Sequence, residues 1–170
     1  VGGSLGAKFF NEMIPESIQQ INIKKRPLII HQSGEKHYEE LKAIYKKCKV
    51  QSDCRAYLDD IDEVYAWADL VIARAGALTI SEFSAAGIAS LLVPFPFAVD
   101  NHQFYNAKYL SDKKAARLII QEELTSQDLS SFIQSLTRNK CLKMAKAALE
   151  NVVTKPEEVI YQECQRLIKK

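Results

Sequence analysis

The sequence is poor in nearly every feature that marks a specialised class of protein. No apolar run approaches the ~18 residues that a membrane-crossing helix needs. Neither sign of charge dominates, because 23 Lys and Arg stand against 21 Asp and Glu for a formal net charge of +2. The basic residues are scattered except at Lys24-Lys25-Arg26, Lys113-Lys114 and Lys169-Lys170, which gives no ground for nucleic-acid binding. The four cysteines, Cys48, Cys54, Cys141 and Cys164, form no C-x-x-C pair and no zinc spacing. They read as reduced, structural thiols of a cytosolic protein. No group of His, Asp or Glu has clear metal-ligand spacing, and repeats, low-complexity tracts and linkers are absent.

What is present is an ordinary globular composition with a regular pattern. An apolar fraction of 47% over 170 residues is ample for the core of one domain or one large lobe. Five short apolar runs, PLIIHQ (27–32), CRAYL (54–58), DLVIA (69–73), SLLVPF (90–95) and ARLII (116–120), alternate with amphipathic segments. That alternation predicts an α/β fold built on a parallel sheet. DLVIA and SLLVPF are almost continuously hydrophobic, as strands covered on both faces are, so helices are expected on both sides. Between the first two runs Tyr38, Leu41, Tyr45 and Cys48 share a helical face. After the last run only helices are predicted, over about 126–138, 142–151 and 157–169, which makes residues 1–170 one lobe with a helical tail from 126 to 170. Val1-Gly2-Gly3 reads as the end of a strand whose start is missing.

In open α/β sheets ligands bind beyond the carboxyl ends of the strands, and four such segments stand out. Half of the six glycines crowd into Val1-Gly2-Gly3-Ser4-Leu5-Gly6-Ala7, ahead of a helix expected over about 8–21 with Pro15 as a kink or break. Glycine lets backbone approach a ligand, and helix N-terminal amides favour an anion. The spacing fits neither the dinucleotide fingerprint nor the P-loop, and a plain strand-to-helix turn explains it equally well. In the second segment Asp60 and Glu63 have capping-box spacing, while the backbone at Tyr57 and Leu58 is free for a nucleobase. The third is Ala73-Arg74-Ala75-Gly76-Ala77-Leu78-Thr79, where Thr79 and Glu82 again have capping-box spacing. The amides of Ala77, Leu78 and Thr79 suit a diphosphate, and a carboxylate one turn in suits the paired hydroxyls of a ribose. In the fourth, two prolines end a strand, Asp100 and Gln103 again have cap spacing, and Asp100-Asn101-His102-Gln103 opens a helix with side chains fit to read sugar hydroxyls.

Taken in order, GGSLGA with Asn11, His31-Gln32-Ser33-Gly34, Tyr65-Ala66-Trp67-Ala68-Asp69, Arg74 to Thr79 with Ser81-Glu82, and Asp100 to Gln103 with Asn106-Ala107 resemble the C-terminal, donor-binding half of the MurG family. These are bacterial transferases that add N-acetylglucosamine (GlcNAc) to a lipid-linked muramyl-pentapeptide in peptidoglycan synthesis. The blocks extend over about the first two-thirds of the chain.

The resemblance implies the C-terminal lobe of a GT-B glycosyltransferase, a Rossmann-like parallel sheet with helices on both faces. It implies transfer from UDP-GlcNAc with inversion, UDP-GlcNAc being a substrate, with no cofactor and no tightly bound metal. Carried over by position, the backbone of Leu58 reads the uracil, Glu82 holds the ribose, and Ser4 with Ala77, Leu78 and Thr79 holds the diphosphate. His102 and Gln103 face the GlcNAc hydroxyls, and Gly3, Gly6, Asn11, Arg74 and Gly76 match further motif positions. The partners implied are an N-terminal acceptor lobe absent from this sequence and, through it, the lipid-linked acceptor (lipid I). The implied location is the cytoplasmic side of the bacterial inner membrane, held peripherally, with this piece itself soluble. The expectation is weak binding of UDP-GlcNAc and no transfer by this chain alone. Two rival readings are the donor subunit of a two-chain dolichol-linked GlcNAc transferase and a non-catalytic nucleotide-sugar-binding domain.

Overall fold

The computed structural model describes residues 8–152 and 156–168. The strand end expected at Val1-Gly2-Gly3, and with it Gly3, Ser4 and Gly6 of the glycine-rich loop, lies outside those residues. Each of the five apolar runs carries a three-residue strand at one end of the run, and β2 starts one residue before its run: β1 (Ile30–Gln32), β2 (Asp53–Arg55), β3 (Val71–Ala73), β4 (Ser90–Leu92) and β5 (Ala116–Leu118). Every pairing is parallel. β1 pairs with β2 with His31 opposite Cys54, and β3, β4 and β5 follow one another with Leu92 opposite both Ala73 and Leu118.

The strands therefore form two sheets, β1–β2 and β3–β4–β5. Between their facing edges lies a cavity of about 490 Å³, lined by Ile30 and His31 of β1, Val71 and Ile72 of β3, and Ile14 and Ile18 of the first helix.

β4 shows why both faces are covered. Successive side chains on a strand point to opposite faces, and Leu91 and Leu92, both fully buried, enter two separate cores. Leu91 joins Phe10, Ile18, Leu41 and Leu129 on one side; Leu92 joins Phe83, Leu110 and Ala148 on the other. The helices that supply these side chains are α1 (Lys8–Gln19), α2 (Tyr38–Lys47), α3 (Ile61–Trp67), α4 (Ala77–Ala86), α5 (His102–Asp112), α6 (Ser126–Ser135) and α7 (Arg138–Leu149), followed by α8 (Pro156–Ile168). On α2, Leu41 and Tyr45 are buried with Cys48 just beyond, as the periodicity predicts. α1 continues through Pro15 rather than breaking there.

The expected helical tail is largely part of the layers. α6 packs on α1, and its start is fixed by a reciprocal capping box between Thr125 and Asp128. α7 packs on α4, where Gly87 ends α4 in the left-handed conformation (φ 64°) and lies so close to Leu149 that a Cβ would come within 2.6 Å of it. All four cysteines are free. Cys48 and Cys141 are buried and Cys54 is half-buried, whereas Cys164 stands exposed on α8, against the expectation of a packed thiol.

Candidate functional site

The loops after β3 and β4 and the start of α5 meet at one end of the β3–β4–β5 sheet, held together by polar side chains. Arg74, immediately after β3, is half-buried. Its Nη1 donates to the carbonyls of Val93 (3.1 Å) and Pro94 (3.0 Å), and its Nη2 to Oε1 of Gln121 (2.6 Å). Its guanidinium carbon sits 4.9 Å from the ring centroid of Phe10 and 5.5 Å from those of Phe9 and Phe95. Burial lowers the Arg74 pKa, opposed by the charge of Glu122; a guanidinium stays protonated regardless. Gln103 and Asn106 of α5 complete the clamp. Gln103 Oε1 accepts from the amides of Ala75 (3.2 Å) and Phe95 (3.0 Å), and Asn106 Nδ2 donates to the Ala75 carbonyl (3.0 Å).

This clamp holds the residues from which α4 starts. Gly76 is the N-cap and offers no side chain to the amides that follow. The first helical bond runs from Ile80 N to Gly76 O, so the N–H groups of Ala77, Leu78 and Thr79 are the orphan donors of the helix. Ala77 and Leu78 are exposed and Thr79 is half-buried. Gly76 has an ordinary φ of −63°, and among the described residues a Cβ there would meet only Thr79 Oγ1, at 3.6 Å. Neither backbone strain nor packing within the protein demands a glycine here, and its absence of a side chain leaves the amides open.

One turn further, Glu82 is exposed, and its Oε2 accepts a hydrogen bond from the Tyr65 hydroxyl at 3.0 Å. Burial, and next the bond to Glu82, push the Tyr65 phenol above its ordinary pKa. Tyr65 is held edge-on to Phe83, with centroids 5.5 Å apart. The Glu82 carboxylate thus has one oxygen oriented and the other turned to solvent contacts.

Three capping expectations are corrected by these contacts. α4 starts earlier than Thr79–Glu82 spacing implied, with Gly76 as N-cap, so Glu82 caps nothing and points to Tyr65 instead. Asp60 is the N-cap of α3 but makes no cap bond; both its oxygens accept from Arg55 Nη1 at 3.0 Å. α5 is preceded by Asn101, not Asp100, and Gln103 turns inward to the Ala75 and Phe95 amides.

Of the remaining candidates, His102 is exposed beside the clamp. Its Nδ1 lies 2.7 Å from the Val99 carbonyl, an acceptor only, so Nδ1 carries the proton and Nε2 is free to accept. The Gln103 amide nitrogen is likewise the part of that side chain its carbonyl's two bonds leave over. Leu58 is buried to 5% exposure, and among the described residues no backbone hydrogen bond outside the helices and strands uses it or Tyr57. Asn11 is 3% exposed; Nδ2 donates to the Ser33 carbonyl at 3.3 Å, and Oδ1 has no partner among the described residues. Among the described residues no group of three or more His, Cys, Asp or Glu gathers to hold a metal ion.

A family model described as the glycosyltransferase family 28 C-terminal domain matches residues 1–160. The chain belongs to this family. Curated relatives of the family 28 domain include UDP-N-acetylglucosamine–N-acetylmuramyl-(pentapeptide) pyrophosphoryl-undecaprenol N-acetylglucosamine transferases. That of Dechloromonas aromatica is 46% identical over 99% of this chain and 48% of its own length. That of Bordetella pertussis is 42% identical over 98% of this chain and 46% of its own. The crystal structure of Acinetobacter baumannii MurG superposes with a TM-score of 0.86 at 35% identity, covering 98% of this chain and 50% of that one. The chain therefore spans about half the length of the relatives it matches.

Sequence reasoning did not assign Tyr65, Asn106 and Gln121, which orient Glu82, hold Ala75 and engage Arg74. Tyr65 and Asn106 lay inside the quoted blocks; Gln121 had no local signal, being 47 residues from its partner.

Proposed function

We propose that residues 1–170 form the donor-binding lobe of an inverting hexosyltransferase that moves GlcNAc from UDP-GlcNAc to undecaprenyl-diphosphate-MurNAc-pentapeptide, giving the disaccharide lipid of peptidoglycan synthesis. The observation that carries this reading is the start of α4. Three orphan amides at Ala77, Leu78 and Thr79 open to solvent beside a glycine that the fold itself does not require. A carboxylate oriented by Tyr65 stands one turn away. That pairing suits a diphosphate next to a ribose diol, and Gly3, Ser4 and Gly6 of the glycine-rich loop are assigned to the same substrate from their sequence positions alone.

In this reading the acceptor hydroxyl attacks the anomeric carbon while the bond to the β-phosphate oxygen breaks. Negative charge grows on the leaving UDP, and preorganised amides stabilise it as it develops. Glu82 holds the ribose, the Leu58 backbone reads the uracil edge, and His102 Nε2 with the free Gln103 amide group faces the sugar. Arg74 acts through the loop, where three of its five N–H donors serve Val93, Pro94 and Gln121. The donor is a substrate, no metal is assigned, and the acceptor and its general base belong to an N-terminal lobe. The complete enzyme works peripherally at the cytoplasmic face of the bacterial inner membrane; none of the described helices is long and apolar enough to cross a membrane.

Calorimetric titration of this chain with UDP-GlcNAc, UDP, UDP-GalNAc and NAD tests the proposal. Binding of UDP-GlcNAc and UDP without NAD is expected, with no transfer to a lipid-linked acceptor. Equal binding of NAD, or turnover by this chain alone, refutes it.

A further inference from the structure

Arg74 follows β3, crosses the end of β4 at Val93 and Pro94, and ends its reach at Gln121 beyond β5. Gln121 opens the short 3₁₀ turn Gln121–Glu123. The backbone on both sides of it is fixed. The Ile119 amide donates to the Leu92 carbonyl of β4 at 3.1 Å, and Leu124, whose amide donates to the Gln121 carbonyl, is 4% exposed in the core. From this anchored position Gln121 offers Oε1 to Arg74 Nη2 at 2.6 Å. A guanidinium is a rigid planar fork, so holding Nη2 also fixes where Nη1 points. Nη1 donates to the Pro94 carbonyl at 3.0 Å.

The Pro94 carbonyl and the Phe95 N–H belong to one peptide unit, which is planar and rigid. Its carbonyl accepts from Arg74, and its N–H donates to Gln103 Oε1 at 3.0 Å. The same Gln103 oxygen accepts from the Ala75 amide at 3.2 Å. Backbone amides only donate, so the Gln103 side chain has a single orientation, its oxygen toward the two amides and Nε2 left over as a donor. Gln121, Arg74, the 94–95 peptide and Gln103 therefore form one continuous chain of hydrogen bonds. Bonds linked in this way polarise and orient one another.

We infer that Gln121 is a positioning residue for the donor sugar, acting through Arg74 and the 94–95 peptide to fix the Nε2 donor of Gln103. The inference deepens the proposed function and rests on it, since that reading sets the Gln103 amide group against the GlcNAc hydroxyls. It extends sugar recognition to the end of β5, a strand that carries none of the assigned substrate contacts. The hydrogen-bond chain itself is read from the structure alone.

The test is calorimetric titration of the chain and its variants with UDP and with UDP-GlcNAc. The ratio of the two dissociation constants reads the sugar's share of binding, which a loss of general structural support does not move. Gln121→Met keeps the length of the side chain and removes the accepting oxygen. UDP-GlcNAc should then bind about three- to tenfold more weakly and UDP change by less than about twofold, as expected for one misplaced hydrogen bond. Gln121→Glu keeps an oxygen for Nη2 and should keep the ratio of the original chain. Gln103→Glu keeps the oxygen that the Ala75 and Phe95 amides hold but removes the donor, so adding Gln121→Met to it should shift the ratio no further. If thermal denaturation shows Gln121→Met to be unfolded, Gln121→Asn, whose oxygen falls one methylene short, carries the same expectation. An unchanged ratio in the folded variant, equal weakening of both ligands, or a full additional shift in the Gln103→Glu background overturns the inference. Titration of the original chain keeps the two proposals apart. If it binds neither UDP nor UDP-GlcNAc, the donor reading falls and this inference with it; if it binds both and the variant's ratio is unchanged, this inference alone falls.

Discussion

Replacing Glu82 by Gln is the most direct trial of the candidate site, because it changes charge and accepting capacity with little change in shape. In the structure Oε2 of Glu82 is tied to the Tyr65 hydroxyl at 3.0 Å, and the other oxygen remains to accept from a ribose hydroxyl. In Glu82→Gln the amide oxygen can still accept from Tyr65, so the side chain keeps its place, while the amide nitrogen faces the ribose and cannot accept. One charge-assisted hydrogen bond is lost, worth about 1.5–3 kcal/mol. Because Glu82 is exposed and screened, the lower end applies, and the dissociation constant for UDP should rise about tenfold. Tyr65→Phe removes only the orienting donor and keeps the ring against Phe83, so a smaller rise of about two- to fivefold is expected. Both are read by calorimetric titration with UDP, with thermal unfolding as the check on the fold. If Glu82→Gln binds UDP within twofold of the original chain and unfolds at the same temperature, the ribose role of Glu82 is wrong.

Three further outcomes follow from contacts elsewhere. Arg74→Lys cannot reproduce a fork that serves Val93, Pro94 and Gln121 together, so urea unfolding should show a loss of about 2–3 kcal/mol; an unchanged midpoint refutes the clamp. Gly87→Ala forces a Cβ into both a left-handed backbone and the Leu149 side chain, and should cost at least ~1–2 kcal/mol, measured the same way. His31 lies 2.9 Å from the Tyr45 hydroxyl, and burial pushes its pKa down from 6.5 to about 3. The unfolded chain takes up a proton below about pH 6.5 that the folded chain refuses. Stability is therefore full above that pH and falls as pH drops toward 3, by about 2 kcal/mol at pH 5. Urea unfolding at pH 7 and pH 5 should show that loss in the original chain and not in His31→Gln.

The five apolar runs and the helices between them were legible because burial leaves a local mark: period two or unbroken apolarity in a strand, period near 3.6 in a helix. Leu91 and Leu92 show the limit of that mark. Their pattern said that both faces were covered, but not that α6 and α7 do part of the covering. The capping-box spacings at Asp60, Thr79 and Asp100 were each real in sequence and each unused, while Thr125–Asp128 forms the box. A capping spacing states only what a side chain can reach, and a better partner elsewhere in the fold wins.

The sequence by itself determined the class of fold, the order of its described elements and which of their strand ends carry polar loops, since these follow from short-range patterns of burial and backbone preference. Only the tertiary structure decided what those loops' side chains do. Glu82 meets Tyr65 across 17 residues, Gln103 meets Ala75 across 28, and Arg74 meets Gln121 across 47. Each hydrogen bond needs donor and acceptor within about 3 Å, and no local pattern records which distant segments a parallel sheet will bring that close.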